Sequence, residues 1–201
     1  MILLIGCKGS MGKRYEAILN FLNIDFIGID KGDKIPNKKF TGCIIATPTN
    51  THFKTLKRVS KKIKKVMIEK PWAKTINEIM EIVDHCKAQK VQLSMMRQYD
   101  YLIDKNSVGR SYYDYFRHGS DGIFWDCMQI IGNAKGDVIL KESSPIWLCS
   151  INGHFLNIQD MDKAYICAVN DWIKGKKQGV TKNIKMHKKV IKHLKELENY
   201  E

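Results

Sequence analysis

Ile2-Leu3-Leu4-Ile5-Gly6-Cys7-Lys8-Gly9-Ser10-Met11-Gly12 lies at the amino terminus, and its reading decides the fold. Four apolar residues in a row suit a buried strand of a parallel sheet, covered on both faces. Glycines at 6, 9 and 12 then break the strand and lead into a segment with Ile18, Leu19 and Leu22 at helical spacing. A second apolar run, Ile24 to Ile29, ends in Asp30. Strand, glycine turn, helix, strand and terminal acid form the layout of a dinucleotide-binding βαβ unit.

Each part of that layout has its own chemical reason. Glycines let the backbone turn sharply and come close to a pyrophosphate, whose charge then rests at the N-terminus of the helix. Asp30 follows Gly12 by 18 residues, near the ~20 expected for an acid that hydrogen-bonds the adenosine ribose. The spacing is GxxGxxG, with Cys7 where an alignment on Gly9 and Gly12 puts the first glycine of the common motif. A plain βα turn can carry glycines too; the two strands and the acid favour a cofactor.

Outward from this unit the alternation continues. Lys31 to Lys39 is a polar link holding Gly32 and Pro36. Cys43-Ile44-Ile45-Ala46 reads as the third strand, Thr47-Pro48-Thr49-Asn50 as the turn leaving it, and a helix starts near Thr51. Lys65-Val66-Met67-Ile68 is the fourth strand, ending in Glu69-Lys70-Pro71. Thr75 and Glu78 make a capping box for the next helix, and Val91 to Met95 is a fifth strand. Strands alternating with helices predict an α/β fold, a Rossmann-type doubly wound parallel sheet, over residues 1–92. Residues 93–201 read as a small, abbreviated α+β domain. Its strands are expected at Ser111 to Phe116, Asp137 to Lys141, Ile146 to Ile151 and Phe155 to Ile158. Its helices are expected at Ser120 to Ile131, Asp160 to Lys174 and Asn183 to Asn199, with Asn152-Gly153 as a hairpin turn.

Composition narrows the function classes. Hydrophobic content of 44% and charged content of 27% over 201 residues describe an ordinary globular chain with a real core. No apolar run reaches the ~18 residues of a membrane span, and the chain opens on a strand without a basic leader, which predicts no signal peptide. The six cysteines are scattered singly, so neither a disulfide framework nor a metal site is expected, and a reducing cytoplasm fits. A net charge of +13 would attract anions. Lys54, Lys57, Arg58, Lys61, Lys62, Lys64 and Lys65, however, surround the stripe Phe53, Leu56, Val59, Ile63 as the solvated face of a helix does. No nucleic-acid-binding motif accompanies them, so nucleic acid is not an expected partner.

Three blocks together resemble the glucose–fructose oxidoreductase / inositol dehydrogenase / MocA (Gfo/Idh/MocA) family of NAD(P)-dependent oxidoreductases. They are Ile5 to Tyr15, Ile45-Ala46-Thr47-Pro48-Thr49-Asn50-Thr51-His52, and Ile68-Glu69-Lys70-Pro71. The run Ala168 to Gly175 also looks like that family's ending. The resemblance implies a cofactor lying across the C-terminal strand ends, held by Gly6, Lys8, Gly9, Ser10, Met11, Gly12, Asp30, Lys31, Ala46, Thr47, Pro48, Asn50, His52, Glu69, Lys70 and Pro71. It implies that Lys70 stands beside the nicotinamide and bonds the substrate oxygen during hydride transfer. A lysine held at a strand end by a proline is a fixed cation, which agrees. Arg97, with Tyr99 beside it, either holds an anionic substrate group or makes a structural ion pair. A carboxylate at Asp30 accepts two ribose hydroxyls and repels a 2′-phosphate, which favours NAD; Lys31 keeps NADP open.

The chain departs from the family's pattern in two places. Where members carry an Asp-x-Gly-x-His block, this sequence reads Arg117-His118-Gly119-Ser120-Asp121-Gly122-Ile123, and Ile123 stands in the histidine's place. His118 and Asp121 are the nearby groups able to move a proton. Only 12 residues separate Asp30 from Cys43, too few for the usual extra helix and strand. The expected activity is hydride transfer to or from a hydroxyl or carbonyl carbon of a sugar, cyclitol or nucleotide-linked sugar. The expected partners are a polar or anionic small molecule and a second copy of the chain, as a homodimer or higher oligomer. The competing reading is a binding or regulatory protein that kept the fold and lost the chemistry.

Overall fold

β1 (Ile2–Ile5) is buried along its whole length, and so is β3 (Gly42–Ile45) beside it. That is what an unbroken apolar run demands, since alternation would leave one face wet. The computed structural model describes residues 1–101, 111–114, 138–143, 146–151, 154–155 and 158–198. Around the central pair lie β2 (Phe26–Ile29), β4 (Lys65–Ile68) and β5 (Gln92–Met95). The five strands run parallel in the order β2-β1-β3-β4-β5. β2 lies on one side of β1 and β3 on the other, so the strand order reverses there. The crevice at such a reversal, outside the carboxyl ends of the strands, is where α/β sheets bind ligands.

Helices carry the crossovers. α1 (Ser10–Phe21) buries Gly12, Tyr15, Ile18 and Leu19 and leaves its other residues partly or largely exposed. A short 3₁₀ turn at Thr49–Thr51 leads into α2 (His52–Val59), whose Leu56 and Val59 are buried while Lys54, Lys57 and Arg58 face solvent. α3 (Ile76–Ala88) starts on the Thr75–Glu78 capping box, with the Glu78 N–H donating to Thr75 Oγ1 at 3.3 Å and the Thr75 N–H to Glu78 Oε2 at 3.1 Å. The link from Asp30 to Thr41 carries no helix, which sets β3 directly against β1.

The chain falls into two compact units, Met1–Met96 with Val169–Glu201, and Arg97–Ala168. The boundary expected at residue 92 thus lies four residues later, and the C-terminal segment, expected with the second domain, packs with the first unit. The reason is a set of contacts no local pattern announces. A Cβ on Gly42 would stand 2.8 Å from the Trp172 ring, so this glycine of β3 makes room for α4 (Ile158–Ile173). The Met95 N–H donates to Gln178 Oε1 at 2.9 Å. α5 (Val180–Glu198) then buries Asn183, Met186 and His187. In α4 the buried side chains include Ala164, Tyr165, Ala168, Val169 and Trp172. The stripe is therefore turned from the Ile166–Val169–Ile173 register that aliphatic spacing suggests.

The second unit has its own sheet, in the order β6-β7-β8-β9. β6 (Ser111–Asp114) pairs parallel with β7 (Val138–Ser143), and β7 pairs antiparallel with β8 (Ile146–Ile151). β8 pairs antiparallel with the short β9 (His154–Phe155). Residues 144–145 and the hairpin turn expected at Asn152-Gly153 lie outside the described residues, as does the helix expected at 120–131. Among the described residues, no helix is long and apolar enough to cross a membrane.

Candidate functional site

Four turns meet along the carboxyl ends of β2, β1, β3 and β4. The ladder runs one bond beyond the strands: the Gly6 N–H donates to the Ile29 carbonyl at 2.8 Å, Ala46 to Ile5 at 2.9 Å, and Glu69 to Ile45 at 2.9 Å. Thus the glycine turn, Asp30, the Thr47–Asn50 turn and the Glu69–Pro71 turn, which the sequence singles out separately, share one edge of the first unit.

The glycines of the first turn have distinct tasks. Gly6 adopts φ +91°, and a Cβ there would stand 2.6 Å from the Ala46 carbonyl oxygen. Gly12 lets α1 lie on the turn, since its Cβ would come 2.0 Å from the Gly6 oxygen. Gly9 is the N-cap of α1 and has no side-chain cap. Among the described residues, a Cβ on Gly9 would meet only the Gly6 oxygen, at 3.5 Å, which leaves space in front of the turn. The first N–H groups of a helix have no intrahelical acceptors, and here Ser10, Met11 and Gly12 carry them beside that opening. The donor set and the space fit a pyrophosphate. Cys7, in place of a glycine, is accommodated on the next strand: a Cβ on Gly28 would stand 3.0 Å from Cys7 Cβ. Burial and the carboxylates of Glu16 and Asp30 push the Cys7 thiol up, so it stays protonated.

Asp30 is tied to the same turn. Its Oδ2 accepts the Lys8 N–H at 2.9 Å and its Oδ1 the Lys31 N–H at 2.7 Å. These two backbone bonds, Lys31's first, hold the carboxyl below the usual carboxylate range. The group is an anion at neutral pH, and each oxygen keeps a lone pair for a ribose hydroxyl.

The third turn is braced internally. Thr51 Oγ1 donates to the Pro48 carbonyl at 2.7 Å and stands 2.8 Å from Thr47 Oγ1. Ala46, Thr47 and Thr49 are partly exposed, and Pro48 and Asn50 are exposed. His52, carried as a cofactor contact from the family pattern, is instead buried behind the turn. Its Nε2 lies 2.7 Å from the Thr47 carbonyl and its Nδ1 3.2 Å from the Trp72 carbonyl. Burial, outweighing those carbonyls and Glu69, pushes its pKa down. Both ring nitrogens face backbone carbonyls, and the single N–H of the neutral ring donates to one of them.

At the fourth turn Lys70 is half-buried and Pro71 buried, joined by a cis peptide bond. Glu69 is buried, with one carboxylate oxygen accepting from the Tyr15 hydroxyl and the other from the Lys70 N–H at 3.1 Å. Tyr15 is a residue that spacing alone passes over. Its one signal is its place a single helical turn beyond Gly12, on the buried face of α1.

Arg97 opens the second unit, buried, with Nη2 on Asp100 Oδ1 at 2.7 Å; the ion-pair alternative is the one its geometry contains. The side chain of Tyr99, and His118 and Asp121 entirely, lie outside the described residues. Among the described residues no cluster of His, Cys, Asp or Glu could hold a metal ion.

This sheet, its order reversal and its glycine turn define a dinucleotide-binding Rossmann-type domain. Residues 12–97 match the sequence model of the Gfo/Idh/MocA family, described as an oxidoreductase family with an NAD-binding Rossmann fold. The blocks Thr47–His52 and Glu69–Pro71, which carry the resemblance, lie within those matched residues. No curated protein matches the sequence. Among solved structures, a Gfo/Idh/MocA family oxidoreductase from Vibrio cholerae is 11% identical with a TM-score of 0.68, covering 99% of this chain and 98% of that one. The WlbA (WbpB) dehydrogenase from Thermus thermophilus, in complex with NAD and UDP-GlcNAcA, is 9% identical with a TM-score of 0.64, covering 94% and 93%. The WlbA dehydrogenase from Chromobacterium violaceum is 18% identical with a TM-score of 0.42 over 48% of this chain, which spans 34% of that protein's length. At such identities the first two likenesses establish a shared fold.

Proposed function

We propose that this protein is an NAD(P)-dependent oxidoreductase acting on a hydroxyl or carbonyl carbon of a sugar, cyclitol or nucleotide-linked sugar. The observation that carries the reading is the tie between the two decisive turns. The Tyr15 hydroxyl on the glycine-turn helix donates to Glu69, the neighbour of Lys70. A cation on a turn so tied to a pyrophosphate cradle is suited to stand beside the reactive end of a dinucleotide.

A bound dinucleotide supplies or takes the hydride. The amides of Ser10 to Gly12 receive its pyrophosphate, and Asp30 accepts the adenosine ribose hydroxyls. Thr47, Pro48 and Asn50 flank the site, with Ala46 and Lys8 at its margins. Lys70 donates to the oxygen on the reacting carbon, orients it and offsets the negative charge that develops there. His118 or Asp121 moves the proton. Asp30 favours NAD; Lys31, beside it, offers a cation to NADP. A second copy of the chain is expected as a partner, which light scattering measures.

The test begins with NADH fluorescence on the purified protein; no binding at millimolar cofactor ends the proposal. Lys70→Ala is expected to lower kcat by about 100-fold or more, the cost of losing one preorganised donor, while NADH binding changes little. Nucleotide-linked sugars head the substrate panel, because such a compound occupies the Thermus thermophilus structure. Ile123, where the family places histidine, favours a second reading, a cofactor-binding regulator without turnover. It predicts NADH binding, silence on every substrate, and biological activity indifferent to Lys70→Ala.

A further inference from the structure

The turn that carries Lys70 is held from the far end of the chain. The Trp72 N–H, two residues beyond Lys70, donates to Nε2 of His187 on α5 at 3.2 Å. The other ring nitrogen, Nδ1, lies 2.7 Å from the Asn183 carbonyl one turn back along the same helix. A neutral imidazole has one donor and one acceptor. The Asn183 carbonyl can only accept, so the hydrogen is on Nδ1 and the Nε2 lone pair faces the Trp72 amide. The ring is buried and stacked on the Trp72 indole, with centroids 5.2 Å apart and planes 26° apart. Among the described residues the indole N–H has no hydrogen-bond partner, and its backbone bond and stacking locate Trp72. Five residues before Asn183, Gln178 Oε1 receives the Met95 N–H of β5. Two acceptors of the C-terminal segment thus cap backbone donors just beyond β4 and at the end of β5.

We propose that His187 is a positioning residue for Lys70: by accepting the Trp72 N–H it fixes the Lys70–Trp72 turn in the place the reaction needs. A loop left with an unpartnered buried amide would shift to find another acceptor, and Lys70 would move with it. Burial pushes the His187 pKa down to about 4, which keeps the ring neutral and its Nε2 an acceptor at neutral pH. The proposal rests on the reading of Lys70 as the cation beside the cofactor.

The experiment is hydrogen exchange on the full chain with and without NADH, in wild type, His187→Phe and His187→Gln. Phenylalanine keeps a ring on Trp72 and removes the acceptor; glutamine returns an acceptor near the Nε2 position. In wild type, NADH is expected to protect both Gly6–Gly12 and Lys70–Trp72. In H187F the glycine-turn protection should persist, the Lys70–Trp72 protection should vanish, and the Trp72 amide should exchange at least about tenfold faster. H187Q should return both toward wild type. Where a substrate turns over, H187F should lower kcat with KM for NADH little changed. Should H187F fail to fold, His187→Ala with and without added imidazole makes the same comparison, the imidazole restoring protection.

Wild type unprotected at the glycine turn overturns the cofactor reading and this inference with it. Protection there but never at Lys70–Trp72 overturns the assigned role of Lys70. Protection of both segments in H187F, equal to wild type, overturns the role of His187 alone. Equal loss in H187F and H187Q reduces His187 to a packing residue.

Discussion

The glycine turn and the lysine turn sit at one edge of one sheet, yet they are built in opposite ways. Gly6 to Gly12 is shaped by its own residues: a positive φ at Gly6, a missing Cβ at Gly12, and one short partnership with Asp30. Glu69 to Trp72 holds one bond of its own, from the Lys70 N–H to Glu69 Oε2, and takes others from distant elements. It depends on Tyr15 from α1, His52 from α2 and His187 from α5. The first kind of turn is set by backbone sterics and forms with its own βαβ unit. The second exists only once three separate elements have packed, which makes it the part of the site most easily lost and most easily tuned.

The contrast can be broken most sharply at Gly12. Gly12→Ala puts a methyl group 2.0 Å from a backbone oxygen, where nothing flexible can give way. A loss of about 3 kcal/mol is expected, the upper end of the range for overpacking, read from the urea midpoint, with NADH binding lost as well. Tyr15→Phe tests the remote tie. It leaves one oxygen of a buried carboxylate without its donor and should cost about 2 kcal/mol, with kcat falling more than NADH affinity. A local turn would not feel that change, so equal loss at both turns would erase the distinction.

Smaller effects come from titration. His187 has a folded pKa of about 4 against roughly 6.5 unfolded. The unfolded chain takes up the proton first, so stability is full above about 6.5 and is lost as pH falls toward 4. H187Q removes that contribution, and thermal melts across the window should show a shallower acid decline. Asp30 is the mildest case. Its folded pKa is lowered, so its contribution is present above the unfolded value of about 3.9 and fades as pH falls through the folded one. Asp30→Asn should flatten that limb slightly while weakening NADH binding, and leave the Lys70–Trp72 turn untouched.

The five strands of the first unit begin and end within two residues of where the apolar runs place them, and the Thr75–Glu78 capping box is formed as its residue types require. Gly6, Gly12 and Asp30 are equally legible, because their roles depend on neighbours close along the chain or one strand away. The register of α4 was not: large rings at Tyr165 and Trp172 are buried in preference to Ile166 and Ile173, and only the space left by Gly42 explains Trp172. His52 reads as a ligand contact from its motif and proves to be a brace. His187 and Asn183, polar residues four apart on an otherwise apolar stripe, were the signal for a buried polar contact, without any hint of its partner.

Taken alone, the order of residues determines the parallel sheet, the glycine turn and the acid at the end of β2, since periodicity, chirality and backbone sterics act over a few residues. Tertiary structure decides where Lys70 is held and what holds it. Its turn takes a hydrogen bond from a residue 54 positions away and donates one to a residue 115 positions away. Burial makes those bonds obligatory, and only the packed fold brings such distant groups within reach of one another.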